Sequence, residues 1–263
     1  MPKALTQGAY ALAPATPHVR RISLADLRAA LHDGWEDFRA SPTQLIFLCI
    51  LYPITGLLVA RAASGGDLLA LLWPLVAGLS LVGPVAAVGL YEISRRREAG
   101  EATSWLTAFQ VLRNPNFLSI AALGVLLMAV FVLWVGVARA IYDATLGELP
   151  RRGLGEIVHL ALTTPEGHRL LLLGNGLGFL FALAVLVFTV VSVPMLLDRG
   201  GTLGTAIRTS LAACMLNPLP MACWGLIVAG LLLLGALPAF AGLAVAMPVL
   251  GHATWHLYRR LVE

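Results

Sequence analysis

From Leu170 to Leu197 the chain passes through 28 residues without a charge. A helix of roughly 20 apolar residues is enough to cross the hydrocarbon of a bilayer. Runs near that length recur along the 263 residues, at about 45–63, 68–93, 117–138, 165–197, 219–237 and 240–257. A soluble core cannot hide so much apolar surface. Only 12% of the residues are charged, where soluble domains carry about 25%. Lipid offers backbone N–H and C=O groups no partners, so each run must pair its own, as a helix does. The reading is an all-α integral membrane protein with six transmembrane helices.

Residues 1–21 are rich in Ala and Pro and read as a mobile cytoplasmic tail, and 22–263 as a single six-span membrane domain. No secretory signal is apparent, because residues 1–44 contain no apolar core of the needed length.

Short polar-faced helices punctuate the runs. In 22–40, Ser23 is a candidate cap with Asp26 three residues on. Leu24, Leu27, Leu31, Trp35 and Phe38 recur there at helical spacing. Such a helix either lies in the membrane interface or packs on the protein itself. A second, within 98–116, has Thr103 as its cap and Trp105, Leu106, Phe109 and Leu112 as its apolar face. A third covers Thr202 to Ala213. Each precedes a Ser-Pro or Asn-Pro step, at Pro42, Pro115 and Pro218. On the other side, Glu156 to Leu160 reads as one amphipathic turn, and Thr164-Pro165-Glu166 as a helix start.

Each even run carries a proline, Pro84, Pro194 or Pro248, which frees a carbonyl and bends the helix. Arg95 follows Pro84, and Arg259 follows Pro248, by the same eleven residues. That register superposes Tyr91 on Trp255 and Glu92 on His256. Likewise 28–42 aligns with 204–218 without a gap, Ala30-Leu31 falling on Ala206-Ile207. These coincidences predict three parallel hairpin repeats with short interfacial amphipathic helices. Thirteen of the 18 Lys and Arg residues fall on the side of the chain ends, so both termini are expected in the cytoplasm.

His252 and His256 stand four apart on one helix face. The reading is interface polarity for His256 and a helix-to-helix hydrogen bond for His252, with no cofactor assigned. The alternative makes the two the cofactor-binding residues, ligating haem iron or a metal or relaying protons. Glu92, Asn175, Asp198 and Arg199 are the other intramembrane polar candidates. Glu92 reaches Arg95 or Arg96 one turn on, and Asp198 is read as paired with Arg199. Asn175 is expected to bond across helices, beside a Gly174–Gly178 step that permits close packing. Cys49, Cys214 and Cys223 have no metal-ligand spacing and read as small core residues. There is no nucleophile elbow, HExxH or phosphate loop, and no nucleic-acid-reading motif. No catalytic residue and no metal site is assigned.

Three segments, GPVAAVGLYEISRRREAGE at 83–101, SVPMLLDRGGTLGTAIRTSLAACMLNPLPM at 192–221 and PVLGHATWHLYRRLV at 248–262, resemble the bacterial integral membrane family called domain of unknown function 2189. The resemblance covers almost everything after about residue 20. It implies an inner-membrane protein. Some members of that family are labelled cytochrome c oxidase subunit I; this chain has far fewer predicted spans than such a subunit and lacks its set of intramembrane histidines. The leading expectation is a non-enzymatic accessory or assembly component of a membrane complex, respiratory or other. Its partners would be the lipid bilayer, other subunits or further copies of itself. The alternatives are a carrier built on three kinked hairpins, with Glu92, Asn175 or His252 lining a central cavity, and a haem or quinone protein.

Overall fold

The computed structural model describes residues 17–41, 74–75, 83–84, 87–147, 154–237 and 241–263. The run at 45–63 and most of that at 68–93 lie outside the described residues, as do Pro42, Cys49 and the tail before residue 17. Among the described residues the elements are helices, with one isolated antiparallel bridge between Val19 and Val262.

Helix α1 spans Leu24–Ala40. Its first turn closes as expected, the Ser23 N–H donating to Asp26 Oδ2 at 2.8 Å. Helix α2, Val88–Glu98, ends in the three arginines, which suit the negative end of a helix dipole. A 3-10 helix follows at Trp105–Arg113. Its cap is Ser104, not Thr103: the Ser104 N–H donates to Thr107 Oγ1 at 3.1 Å. Thr103 instead meets Ser41, Oγ1 to Oγ at 3.1 Å.

Helix α3 covers Phe117–Thr145. It outruns the apolar stretch because Arg139 pairs with Asp143 one turn on, at 2.8 Å. The amphipathic turn at 156–160 is a full helix, α4, Leu154–Thr163. Helix α5, Pro165–Thr189, begins as read, with Thr164 Oγ1 accepting from the Gly167 N–H at 3.0 Å. After a break at Val190-Val191 comes α6, Ser192–Asp198. Gly200 and Gly201 then turn the chain with φ of 71° and 101°, a region that favours glycine. Helices α7, Leu203–Leu216, and α8, Pro218–Ala236, are joined only by Asn217, and α9 covers Leu243–Leu261.

Among the described residues, three helical stretches are long and apolar enough to cross a membrane: Phe117–Thr145, Pro165–Asp198 and Pro218–Ala236. Their outer faces show Val125, Val132, Leu172, Phe179, Leu226 and Leu234 to the surroundings. Such apolar faces suit lipid, where exposure costs nothing. Helix α9, read from sequence as the last span, is not among the three. It carries His252, His256, Arg259 and Arg260, and most of its second half is buried in the protein.

The core gathers at the arginine-rich end. Helix α6 is buried from Ser192 to Leu197 and packs with Trp224, Trp255, Leu257, Tyr258 and Leu261. Val191, just ahead of Pro194, explains the break before α6. The Ser210 hydroxyl of α7 enters the helical ladder there. It accepts from the Val191 N–H at 3.2 Å and donates to the Val187 carbonyl at 2.8 Å, two groups that would otherwise pair with each other. Ser210 is fully buried. Ser210→Ala leaves the Val191 N–H unmet in a dry core and the Val187 carbonyl with only the weak Cys214 thiol at 4.0 Å, which costs about 1–3 kcal/mol. Thermal unfolding of the detergent-purified variant measures this, and an unchanged midpoint would show that the ladder closes without the hydroxyl.

Helix α1 shows the second of its two sequence readings, packing on the protein itself. It runs antiparallel along α9, with Asp33 opposite Arg260 and Asp37 opposite His256. Its buried stripe is Leu27, Ala30, Gly34, Asp37 and Phe38. Leu24 and Trp35, expected on the apolar face, are exposed. The stripe is rotated because Gly34 permits contact with the backbone of α9: a Cβ there would lie 2.5 Å from Ala253 N.

Candidate functional site

Three helices meet in a polar junction at the arginine-rich end: α1 supplies Asp37, α2 supplies Ser94 and Arg97, and α9 supplies His252 and His256. Asp37 is buried, and its carboxylate accepts from Arg97 Nε at 2.9 Å and from His256 Nε2 at 2.8 Å. Ser94 Oγ lies near the carboxylate as well and 2.8 Å from His252 Nδ1. His252 Nε2 has no hydrogen-bond partner.

Burial alone would raise the Asp37 carboxyl. The hydrogen bonds from His256 and Ser94, with the charge of His256, outweigh it and hold the group below the usual carboxylate range. The same contest runs at Asp33, where partial burial is outweighed by Arg260, whose NH2 lies 2.7 Å away.

A second knot sits beside the first. Glu92, 2% exposed, accepts from Arg95 Nε and NH2, each at 2.9 Å, and from Arg96 Nε at 2.6 Å. It thus pairs along its own helix, as the spacing suggested, and not with His256. Asp198 and Arg199 are only loosely joined, at 3.7 Å. The closer partners of Asp198 are Tyr258, whose hydroxyl donates at 2.8 Å, and Arg259 at 3.3 Å. Arg199 reaches the carbonyls of Val262 and Glu263. Glu98 completes the knot, accepting from Trp255 Nε1 and from Arg259 Nε, each at 3.0 Å.

Asn175 departs from expectation. It lies exposed on α5 and donates to the Leu171 carbonyl of its own helix at 2.8 Å. Of the GxxxG step, Gly178 packs against Trp134, while a Cβ at Gly174 would meet open space. Cys214 is buried and Cys223 partly buried, both as free thiols.

Sequence reasoning missed Asp37, Ser94 and Arg97 as members of the junction. The signal was present in α1: Ala30, Gly34 and Asp37 share one face, and two small residues beside an acid mark a close helix approach. Asn217 does more than open a helix. Its Oδ1 accepts from the Ile22 N–H at 2.8 Å, and its Nδ2 donates to the Arg20 carbonyl at 2.9 Å. An Asn in an Asn-Pro step thus holds a distant segment.

The arrangement brings Glu92, Asp198, Arg199, His252 and His256 to one end, each bonded to residues of the chain, and leaves Asn175 outside. Among the described residues, no three His, Cys, Asp or Glu side chains are grouped to hold a metal ion.

Residues 72–198 match the family model described as predicted integral membrane protein, domain of unknown function 2189. The resemblance read from the sequence is thereby supported over that stretch. Of the three segments that carried it, 83–101 lies inside the match, 192–221 enters it only at its first residues, and 248–262 lies beyond it. No curated protein and no solved structure matches the chain.

Proposed function

We propose that this integral membrane protein is a non-enzymatic component of the bacterial inner membrane, accessory to the assembly or structure of a larger membrane complex. One observation carries the reading. The charged groups that could have served a substrate or cofactor at the junction are engaged by other residues of the chain, across helices at Asp37 and Asp198 and within α2 at Glu92. His256 Nε2 is taken by Asp37, and Glu92 is clamped by two arginines. His252 is 0% exposed. The carrier alternative expects a central polar cavity lined by Glu92, Asn175 or His252. The first and last are closed in, and Asn175 faces outward on another helix.

Six crossings in three parallel hairpins remain part of this proposal. The Val19–Val262 bridge supports an even number of crossings between those residues, and the arginine excess supports cytoplasmic placement of that end. The Asn-Pro steps behave alike, Asn114 Nδ2 donating to the Leu197 carbonyl at 3.2 Å and Asn217 Nδ2 to that of Arg20. Ala30 and Ala206, equivalent under the repeat alignment, are both fully buried.

The test is native mass spectrometry of tagged protein extracted gently from its own membranes. Reproducible co-purification of defined subunits is expected. A lone chain or homo-oligomer holding a stoichiometric small molecule would overturn the accessory role.

A further inference from the structure

The 3-10 helix Trp105–Arg113 holds an apolar stripe away from the protein. Trp105, Leu106, Phe109 and Leu112 are 51%, 56%, 54% and 63% exposed. With three residues per turn, positions 106, 109 and 112 eclipse into a single line, and Trp105 stacks edge-on against Phe109 at 6.2 Å. The opposite face is fixed. Thr107 and Val111 are buried, and Ala108 sits so close to Gly89 of α2 that a Cβ at Gly89 would lie 2.8 Å from it. The helix cannot roll to bury its stripe without breaking that contact.

Its position follows from the chain. Arg113 is joined through Asn114, Pro115 and Asn116 to Phe117, the first residue of a helix long and apolar enough to cross the bilayer. Four peptide steps reach at most about 14 Å, so the stripe lies at the surface of the same bilayer. Tryptophan and phenylalanine flanked by cations are suited to that depth.

The charges nearby choose the headgroup. Glu92 and Glu101 are bound by Arg95 and Arg96, and Glu98 by Arg259. Arg113 stands exposed at the end of the stripe. We infer that the Trp105–Arg113 helix is an interfacial anchor whose apolar stripe inserts among acyl chains while Arg113 selects anionic phospholipid headgroups. This rests only on the membrane placement of the chain and stands whether or not the accessory role does.

The test uses the full chain in nanodiscs that combine phosphatidylcholine with phosphatidylglycerol, one of the two brominated at a time. Brominated chains quench nearby tryptophan. The component of emission removed by Trp105→Phe isolates the anchor from the other tryptophans. That component is expected to be quenched, with the anionic lipid enriched around it by about fivefold, the factor one arginine near an anionic surface supplies. Arg113→Gln is expected to abolish the enrichment and leave the quenching. If the Trp105 component is not quenched by either lipid, the stripe is not in the bilayer and the inference falls. Equal quenching by both headgroups in the wild-type chain overturns the selection of anionic lipid. Trp105 and Arg113 are exposed, so both variants should fold, and an unchanged far-ultraviolet helical signal checks this.

Discussion

Replacing Gly34 with leucine is expected to lift α1 off α9 and to destabilise the protein by about 3 kcal/mol, the upper end of the usual cost of overpacking. Helix propensity alone points the other way. Glycine inside a helix costs roughly 1 kcal/mol relative to alanine, so substitution should help an isolated α1. The contact with α9 reverses the sign. A Cβ at position 34 would lie 2.5 Å from the amide nitrogen of Ala253 and 2.7 Å from its Cα. Those are backbone atoms of a buried helix and cannot swing aside, so the helices must separate. Separation also strains the Asp33–Arg260 and Asp37–His256 pairs, which close at 2.7 and 2.8 Å. Gly34→Ala should lose less, because the helices need part by less than for leucine. Thermal unfolding in detergent and limited proteolysis within 24–40 read the two variants. A Gly34→Leu protein as stable and as protected as wild type would show that α1 does not depend on close contact with α9.

Helix identity was legible from the sequence because apolar runs, caps and prolines act locally. Thr164-Pro165-Glu166 opens α5 as read, and Pro115 and Pro218 stand where α3 and α8 begin. Which face of a helix is inside was less legible. In α1, hydrophobicity pointed to Leu24, Leu27, Leu31, Trp35 and Phe38; Leu27 and Phe38 are buried, but Leu24 and Trp35 are exposed, and Ala30, Gly34 and Asp37 complete the buried line. In a membrane protein large apolar residues are at home on the lipid side, so burial follows small residues and satisfied polar groups instead.

The candidate site divides along the same line. Glu92 found its partners because Arg95 and Arg96 are three and four residues away, within reach on any helix. Asp37 joins Arg97 and His256 across separations that only the fold creates. The hydroxyls at Ser94 and Ser210 carry no pattern in the sequence. Each is identified by what it lies between: Ser94 between His252 and Asp37, Ser210 between two backbone groups of a broken helix.

Asp37→Ala is expected to cost about 2–3 kcal/mol, and Asp37→Asn less. Removing one member of a buried pair typically costs about 3–5 kcal/mol, because a charge is left without compensation. The side chain of Arg97 is 38% exposed and can turn toward water, which lowers the figure. Asparagine keeps an acceptor for Arg97 and His256 but not the charge. The variants also separate with pH. The Asp37 carboxyl is held below its ordinary value in the folded chain, so the unfolded state takes up the proton first as pH falls. Its stabilising contribution is therefore present above about pH 4, the unfolded carboxylate value, and is lost as pH drops through the lower folded value. Asp26 and Asp33 are shifted the same way, so the wild-type curve alone cannot assign the loss. The difference between wild type and Asp37→Asn isolates it. Unfolding midpoints taken from about pH 6 down to pH 3 should converge as the acid window is entered. A constant gap across that range would mean that the Asp37 carboxyl takes up its proton alike in the folded and unfolded chain, and that the junction does not hold its charge.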